Sequence, residues 1–496
     1  MKFNFLKKRP RGDTVNLAGG EAFLETPKME LASLMLTSML EDQFYRRADA
    51  TARRLRQLIA QQPDKRFVAK TALFARKEAG MRSVTHLAAA ELANSVKSES
   101  WTARFYDRVV HRPDDVMEIL ACYHGTHGKI IPNSLKKGLG RALARFDEYQ
   151  LAKYRKKTAD ISLVDAVNLV HPPATEALGK LVKGTLASAE TWETKLTQAG
   201  STAASEIELS ALKREAWSDL IRTRKIGYFA LLRNLRNILQ AFSAPVCSPF
   251  DVLDKLEVQA AESDDVIDAA LAMLRDEKLI RKSLVMPFRF QTTVEAIKSA
   301  DLARAADVLA ALSDAVDMSL ANVPTFPGRT LIALDDSGSM IGRPLKTGSL
   351  FAAALVKAND ADLITFSESA RYVTLNKRDS TLTLASTLEG MAQARGTDFH
   401  CIFRTANRAY DRIIILSDMQ GWIGHMAPTD TFNQWKSLYR SNPKVFSFDL
   451  QGYGTLQLPE RNVFCLAGFS DKTMDTLAHL DHDPAALIRQ IEEIDL

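Results

Sequence analysis

Long apolar runs and paired cysteines are missing from this sequence of 496 residues, and each absence argues against a class of protein. No run approaches the roughly 20 apolar residues that a membrane-spanning helix needs, so we expect no transmembrane segment. The N-terminus, MKFNFLKKRPRGD, is basic but lacks the apolar stretch and small-residue cleavage site of a secretory signal. The sequence therefore predicts a cytoplasmic protein.

Metal-binding cysteine and histidine patterns are also scarce. The four cysteines form no CxxC pair and no metal-finger spacing, and they are Cys122, Cys247, Cys401 and Cys465. Buried free thiols are the simplest interpretation. His124 and His127 stand three residues apart, but the local pattern does not complete a coordination shell of a known type, which disfavours zinc there.

Charge is distributed unevenly along the chain. From Phe326 onward there are 17 Lys or Arg residues against 20 Asp or Glu, whereas the preceding part has 48 against 40. A polyanion would therefore dock on the N-terminal part. The length also exceeds what one hydrophobic core usually organises, so two or more domains are expected.

The N-terminal part has a helical pattern. From about Met29 to Ala321, apolar residues recur at spacings of three and four, and no segment predicts a strand. Helix breaks are expected at residues 62–64, 111–114, 171–173 and 244–249, where prolines interrupt the pattern. This spacing favours stacked helix pairs of the HEAT-like solenoid type, and a plain helical bundle is the alternative.

The pattern changes at residues 322–328, NVPTFPG, which predicts domains at 1–325 and 326–496. In the second part, short buried strands are predicted at TLIALDD, ADLITFS, RIIILSD, VFSFDLQ and NVFCLAG. Helical stretches such as LKTGSLFAAALVKA and TLTLASTLEGMAQ separate them. Alternating strands and helices predict a Rossmann-like α/β domain with a mostly parallel sheet, which binds ligands at the carboxyl ends of its strands.

An oxygen-rich loop follows the first of these strands. In LIALDDSGSM, the alternate residues Asp335, Ser337 and Ser339 can direct oxygens into one small space. Magnesium prefers oxygen ligands in near-octahedral geometry, so further ligands must come from elsewhere. Two later loops supply candidates, Thr397 and Asp418. The sequence therefore predicts a site for a divalent metal ion, Mg²⁺, at this edge.

This set resembles the metal-ion-dependent adhesion site of von Willebrand factor A domains, over residues 326–496. The resemblance implies a DxSxS loop, a threonine and an aspartate around the ion, with a partner's carboxylate often completing the shell. Asp336 stands where an apolar residue is common. We expect its side chain to face solvent or to cap the next turn, and a direct role at the ion is the alternative.

The first basic cluster lies between residues 129 and 157, where only Asp147 and Glu148 oppose its charge. Its members are Lys129, Lys136, Lys137, Arg141, Arg145, Lys153, Arg155, Lys156 and Lys157. Lys137, Arg141 and Arg145 recur at four-residue spacing, which on a helix forms a stripe that a phosphate backbone can follow. The alternative is an ordinary solvated face.

The second basic cluster lies in IRTRKIGYFALLRNLRN, which has no acidic residue. Its members are Arg222, Arg224, Lys225, Arg233 and Arg236. The interleaved Tyr228 and Phe229 are expected in the core with Leu231 and Leu232. Because arginine can clasp phosphate or stack on an unpaired base, these cations suit single-stranded RNA.

A resemblance extends across nearly the whole chain. The segments ARKEAGMRSVTHLAAAEL, IPNSLKKGLGRAL, LAKYRKK with VNLVHP, GYFALLRNLRN and MPFRF resemble successive signatures of the TROVE domain. With a following A domain, this is the layout of the Ro autoantigen family. The resemblance implies a ring of helical repeats that takes single-stranded 3′ ends of misfolded RNA. It also implies that small Y RNAs bind outside, at positions matching Lys153, Lys157 and His171.

These observations favour a non-catalytic RNA-binding protein, monomeric and bound to small Y-like RNA and to misfolded or structured RNA. It would serve RNA quality control, or delivery through the RNA to an exoribonuclease such as polynucleotide phosphorylase. The rival hypothesis is a metal-dependent protein-interaction scaffold. A hydrolase using Asp335 and Asp418 is disfavoured because no general base stands beside the serine-rich loop.

Overall fold

The computed structural model describes residues 14–15, 21–24, 26–37, 48–97, 99–155, 160–187, 192–243, 253–300, 302–359, 361–423, 428–450, 455–458, 463–467 and 486–496. The chain divides into two compact units. The first comprises Met1–Leu186, Pro324–Asn376 and Ala385–Leu496, and the second comprises Ala187–Val323 and Lys377–Leu384. No helix within the described ranges is long and apolar enough to cross a lipid bilayer.

The first unit begins with a series of packed helices. Their bounds are α1 Pro27–Thr37, α2 Ala48–Gln61, α3 Lys65–Lys77, α4 Ser83–Ser95, α5 Thr102–Val109, α6 Pro113–His127, α7 Asn133–Ala144, α8 Glu148–Lys153, α9 Leu163–Val170 and α10 Glu176–Lys183. Helices near in sequence pack together, notably α3 on α4, α4 on α6 and α5 on α7. This packing agrees with the predicted helical repeats.

The predicted breaks coincide with helix ends for local chemical reasons. The Asp64 side chain caps α3 by accepting a hydrogen bond from the Phe67 amide at 3.1 Å. Pro113 opens α6, where a missing N–H costs nothing. His171 ends α9 in the left-handed conformation, with φ of 49°, directly before two prolines. The break predicted at 244–249 lies outside the described residues.

Close helix packing explains two glycines of the segment KKGLGRAL. A Cβ on Gly138 would lie 2.4 Å from the Tyr106 Cβ and 2.5 Å from the Ala103 carbonyl oxygen, so α5 and α7 approach too closely for any side chain there. A Cβ on Gly140 would lie 3.3 Å from the Pro172 Cα. These glycines therefore serve packing between helices.

The second unit is helical as well. Its bounds are α11 Trp192–Thr202, α12 Glu206–Arg222, α13 Tyr228–Ser243, α14 Leu253–Leu274, α15 Glu277–Ser283, α16 Gln291–Lys298 and α17 Ala305–Ser319. Hydrogen bonds join α13 to neighbouring helices. The Tyr228 hydroxyl donates to the Leu274 carbonyl at the end of α14 at 3.0 Å. The Thr293 hydroxyl donates to the Leu232 carbonyl at 3.1 Å. Tyr228, Leu231 and Leu232 are buried, as the sequence predicted, whereas Phe229 is only half-buried.

Two short strands precede the helices, and the other strands and further helices begin at Thr330. The strands are β1 Thr14–Val15, β2 Glu21–Leu24, β3 Thr330–Asp335, β4 Asp362–Phe366, β5 Ala370–Val373, β6 Arg412–Ser417, β7 Lys444–Asp449, β8 Thr455–Leu456 and β9 Val463–Ala467. The helices are α18 Arg343–Asn359, α19 Thr381–Gly390, α20 His400–Thr405, α21 Thr429–Tyr439 and α22 Ala486–Glu492. All five predicted strands are present. The predicted domain bounds, 1–325 and 326–496, stay a prediction.

The large sheet has the order β5-β4-β3-β6-β7-β9. All neighbouring strands are parallel except β5, which pairs antiparallel with β4 at the edge. A smaller sheet has the order β1-β2-β8, in which Phe23 pairs with Leu456. The sequence predicted neither β5 nor the small sheet. Because β3 and β6 are adjacent and parallel, the loops after Asp335 and Ser417 meet at one edge.

Candidate metal centre and basic surfaces

The Asp335 carboxylate lies fully buried at the carboxyl end of β3. Its Oδ1 accepts the Ser337 amide at 2.9 Å, and its Oδ2 accepts the Ser417 hydroxyl at 2.5 Å. The Ser337 and Ser339 Oγ atoms lie 3.5 Å apart. Burial raises the pKa of Asp335, although hydrogen bonds from Ser337 and Ser417 oppose the rise.

Asp418 follows β6 and faces the same loop. Its Oδ1 accepts the Gln420 amide at 3.2 Å, and the Ser339 hydroxyl also bonds to this carboxylate. Its Oδ2 is buried and has no hydrogen-bond partner in the described chain. Burial, and then the charge of Asp335, raise the pKa of Asp418. An orphaned carboxylate oxygen beside serine hydroxyls fits a hard divalent cation, which prefers oxygen ligands and would neutralise both carboxylates.

The loop with Thr397 is tied to both of these loops. The Gly338 amide donates to the Arg395 carbonyl at 2.8 Å, and the Trp422 amide donates to the Thr397 carbonyl at 3.2 Å. Thr397 itself is 3% exposed. A Cβ on Gly396 would lie 2.7 Å from the Trp422 ring, so the loop passes beneath this indole. The fold therefore brings together the three loops that carry the predicted ligands.

The expectation for Asp336 was wrong. Its side chain is 1% exposed rather than facing solvent, and Arg371 donates to its Oδ2 at 3.2 Å. Arg371 also donates to the Met391 carbonyl at 2.7 Å. Asp336 thus fixes the edge strand β5 and the segment after α19 beside the site.

Sequence reasoning missed Asp449. This residue ends β7, pairs in register with Ser417 and is 1% exposed. Its charge contributes to the raised pKa of Asp418. The signal was present in VFSFDLQ, because its aspartate ends a strand parallel to β6 and must reach the same edge.

In the part of the chain that the structure describes, histidine, cysteine and carboxylate side chains do not form a metal centre by themselves. No group of three or more His, Cys, Asp or Glu residues there is arranged to hold a metal ion. A cation at the β3 edge would therefore depend on hydroxyls together with carboxylates. His127 lies 3.2 Å from a Glu91 oxygen, and Arg56 also bonds to Glu91 at 3.0 Å.

The first basic cluster is centred on α7. Lys129, Lys137 and Arg141 are exposed, whereas Lys136 is half-buried. Arg145 has a structural role, since it forms an ion pair with Asp107 at 3.3 Å and donates to the Asp107 carbonyl at 2.8 Å. The predicted stripe is therefore largely solvent-facing, but one of its three cations is engaged with α5.

The residues matched to Y RNA binding lie around α8 and α9. Lys153 is exposed and its Nζ stands 5.7 Å from the centroid of the Tyr154 ring. His171 is exposed at the end of α9. Lys157, with Lys156, lies outside the described residues.

The second basic cluster occupies the end of α12, the turn after it and one face of α13. All five of its members are exposed. Arg224 pairs with Asp276 at 3.4 Å. The remaining four have no ion-pair partner within the described ranges. Lys225 lies near Asp219, since its charge contributes to the lowered pKa of that carboxyl. Arg222, Arg233 and Arg236 are therefore the cations that can accept phosphates at little electrostatic cost.

A buried ion network underlies the segment ARKEAGMRSVTHLAAAEL. Asp115 is fully buried on α6, and its carboxylate accepts hydrogen bonds from Arg76 at 2.8 Å and Arg82 at 3.0 Å, with His86 at 3.0 Å. Arg82 also pairs with the buried Asp114 at 2.9 Å. The network joins α3, α4 and α6. Its role is structural, and the sequence pattern did not reveal it.

Known proteins resemble this chain both in sequence and in fold. Residues 28–182 match the TROVE domain family. Telomerase protein component 1 from Rattus norvegicus and from Mus musculus are each 30% identical over 97 residues, and this chain spans only 4% of their length. The crystal structure of Deinococcus radiodurans RO (RSR) protein covers 92% of this chain and 100% of its own, with a TM-score of 0.61 and 17% identity. That likeness confirms the predicted fold class of helices followed by an α/β sheet.

Proposed function

We propose that this chain, whose residues 28–182 match the TROVE domain family, is a Ro-like protein that binds RNA without catalysing a reaction on it. The observation that carries the proposal is the second basic cluster, because four of its five exposed cations have no ion-pair partner in the described chain. Phosphate contacts supply most of the non-specific affinity of a protein for nucleic acid. RNA binding is also the property of the TROVE family as a whole.

In this proposal the two basic clusters bind different kinds of RNA. The first, with Lys153, Lys157 and His171, binds small Y-like RNA. The second binds single-stranded 3′ ends of misfolded or structured RNA through phosphate and stacking contacts. We place the protein in the cytoplasm as a monomer that passes such RNA to an exoribonuclease.

Recovery of bound RNA tests this function. The tagged protein is purified from cells with and without ribonuclease treatment, and the accompanying RNA is sequenced. Enriched RNA supports RNA binding, and a variant with Arg233→Gln and Arg236→Gln should lose the misfolded or structured RNA while it keeps the discrete small RNAs. Protein partners that survive ribonuclease, with no RNA enriched, would instead support the metal-dependent scaffold.

The candidate metal centre belongs to a separate function in this proposal. Asp335, Ser337, Ser339, Thr397 and Asp418 would hold Mg²⁺, and the orphaned Oδ2 of Asp418 supports this assignment. The bound ion would offer a coordination position to a partner's carboxylate. The orphaned Oδ2 of Asp418 also favours the metal-dependent protein-interaction scaffold as a second candidate function.

Asp335→Ala is expected to abolish Mg²⁺ binding while changing RNA affinity less than about twofold, because the exposed cations are on the helices. Calorimetric titration with MgCl₂ and an RNA-binding titration measure the two effects. Glu493→Ala, which removes an exposed carboxylate, is the control and should alter neither. Loss of RNA binding in a folded Asp335→Ala protein would contradict this division.

A further inference from the structure

A cavity of about 530 Å³ lies within the second unit, between α11, α12 and α13. Leu196, Leu209 and Trp217 give it an apolar surface. Trp217 is itself 2% exposed and stacks on Trp192, with ring centroids 6.1 Å apart. The apolar surface is therefore built on a buried indole that packs against a second ring.

Polar groups converge on the same cavity. Asn237 and Gln240 line it from α13, and Lys213 lines it from α12. All three are exposed to solvent. Asn237 donates one hydrogen bond to the Asn234 side chain at 3.3 Å, which leaves its amide oxygen available. A side-chain amide offers both donors and acceptors, the combination that the edge of a nucleobase requires.

The second basic cluster adjoins this polar wall. Arg233 and Arg236 precede Asn237 and Gln240 by one helical turn, so each arginine is the neighbour of a cavity-lining amide on the surface of α13. Glu206 at the start of α12 is the cavity's one carboxylate among the lining residues, and it opposes the single Lys213. The excess positive charge therefore lies beside the cavity rather than inside it.

We propose that this cavity receives one unpaired nucleotide of a single-stranded RNA, the base entering between Trp217 and the amides while Arg233 and Arg236 hold the adjoining phosphates. Ligand pockets of several hundred Å³ with an apolar surface and a few polar groups are typical of small-molecule sites, and a nucleotide is within that size. The inference rests on the proposed RNA binding. It adds that one unpaired nucleotide of the RNA enters the cavity beside the second basic cluster.

Abasic scanning tests the proposal. A fluorescent 12-nucleotide single-stranded RNA is compared with versions that lack one base at a time, against the full-length protein. Removing the inserted base should weaken wild-type binding about 10-fold, because one base contact of this kind is worth roughly 1–3 kcal/mol. The double variant Asn237→Ala with Gln240→Ala should bind intact RNA with an affinity about 10-fold below that of wild type. Removal of the same base from the RNA should weaken the binding of this variant little further.

Two further variants separate the causes. Ala241→Leu, which narrows the cavity, should reproduce the loss, whereas Gln198→Ala removes an exposed amide outside the cavity on α11 and should bind as wild type does. Circular dichroism verifies that each variant is folded. Wild-type affinity in both cavity variants overturns the nucleotide site and leaves RNA binding standing. Failure of the wild-type protein to bind any RNA overturns both proposals.

Discussion

Asp115→Ala is expected to lower the free energy of unfolding by about 3–5 kcal/mol, because removing one partner of a buried ion network leaves the others without a counter-charge. Arg76, Arg82 and His86 all bond to this carboxylate, and the amides of His111 and Arg112 donate to it at 3.0 Å each. Urea unfolding followed by circular dichroism measures the change. Glu118→Ala, an exposed change on the same helix, should stay within about 0.5 kcal/mol of wild type.

The same network predicts a pH dependence. Burial alone would raise the pKa of Asp115, but the hydrogen bond with His86 and the charge of Arg76 outweigh it and hold the pKa well below its usual value. A depressed carboxyl pKa stabilises the fold above the unfolded-state pKa of about 3.9, and the contribution declines as the pH falls further. The stability difference between wild type and Asp115→Ala should therefore shrink below about pH 4. A difference that grew on acidification would contradict this explanation.

Gly138→Ala is expected to destabilise the protein by about 1–3 kcal/mol, because the new methyl group would overlap Tyr106 and the Ala103 carbonyl unless α5 and α7 separate. Gly125→Ala is the matched control. Gly125 is also within a helix, α6, but a Cβ there would meet nothing within 4 Å. That change should stabilise the protein by about 0.5–1 kcal/mol, since alanine favours helix. Equal effects of the two substitutions in thermal unfolding would show that the close packing is unimportant.

Apolar run length and proline placement predicted most elements from the sequence. The five predicted strands are runs that are buried on both faces of a parallel sheet, which is a strong local signal. Strand β5 gave none, because Ala370–Val373 is short and half-buried at the sheet edge. Strands β2 and β8 could not be paired from the sequence, since Phe23 and Leu456 are far apart along the chain.

The candidate metal centre was predictable for a topological reason. Loops after adjacent parallel strands must meet, so the sequence alone predicts that Asp335 and Asp418 lie together. Asp449 could have been found by the same reasoning. The partner of Asp336 could not, because Arg371 lies on the unpredicted strand β5.

Charge patterns located exposed cations but did not separate structural ones from available ones. Arg145 continues the stripe of α7 in the sequence, yet it bonds to Asp107 and to the carbonyls that end α5. Likewise Asp115 gave no sign of its side-chain partners Arg76, Arg82 and His86, which come from α3 and the N-terminal end of α4. Tertiary contacts decide these roles, and helical periodicity alone carries no information about them.

The salt dependence of RNA binding tests the central claim most directly. A fluorescent RNA with a single-stranded 3′ end is titrated with the full-length protein between 50 and 200 mM salt. If about five phosphates contact the exposed cations, affinity should fall about 100-fold over this range, following the counterion-release slope of about −0.7 per contact for single strands. Binding that does not respond to salt, or no binding at 50 mM, would contradict the account.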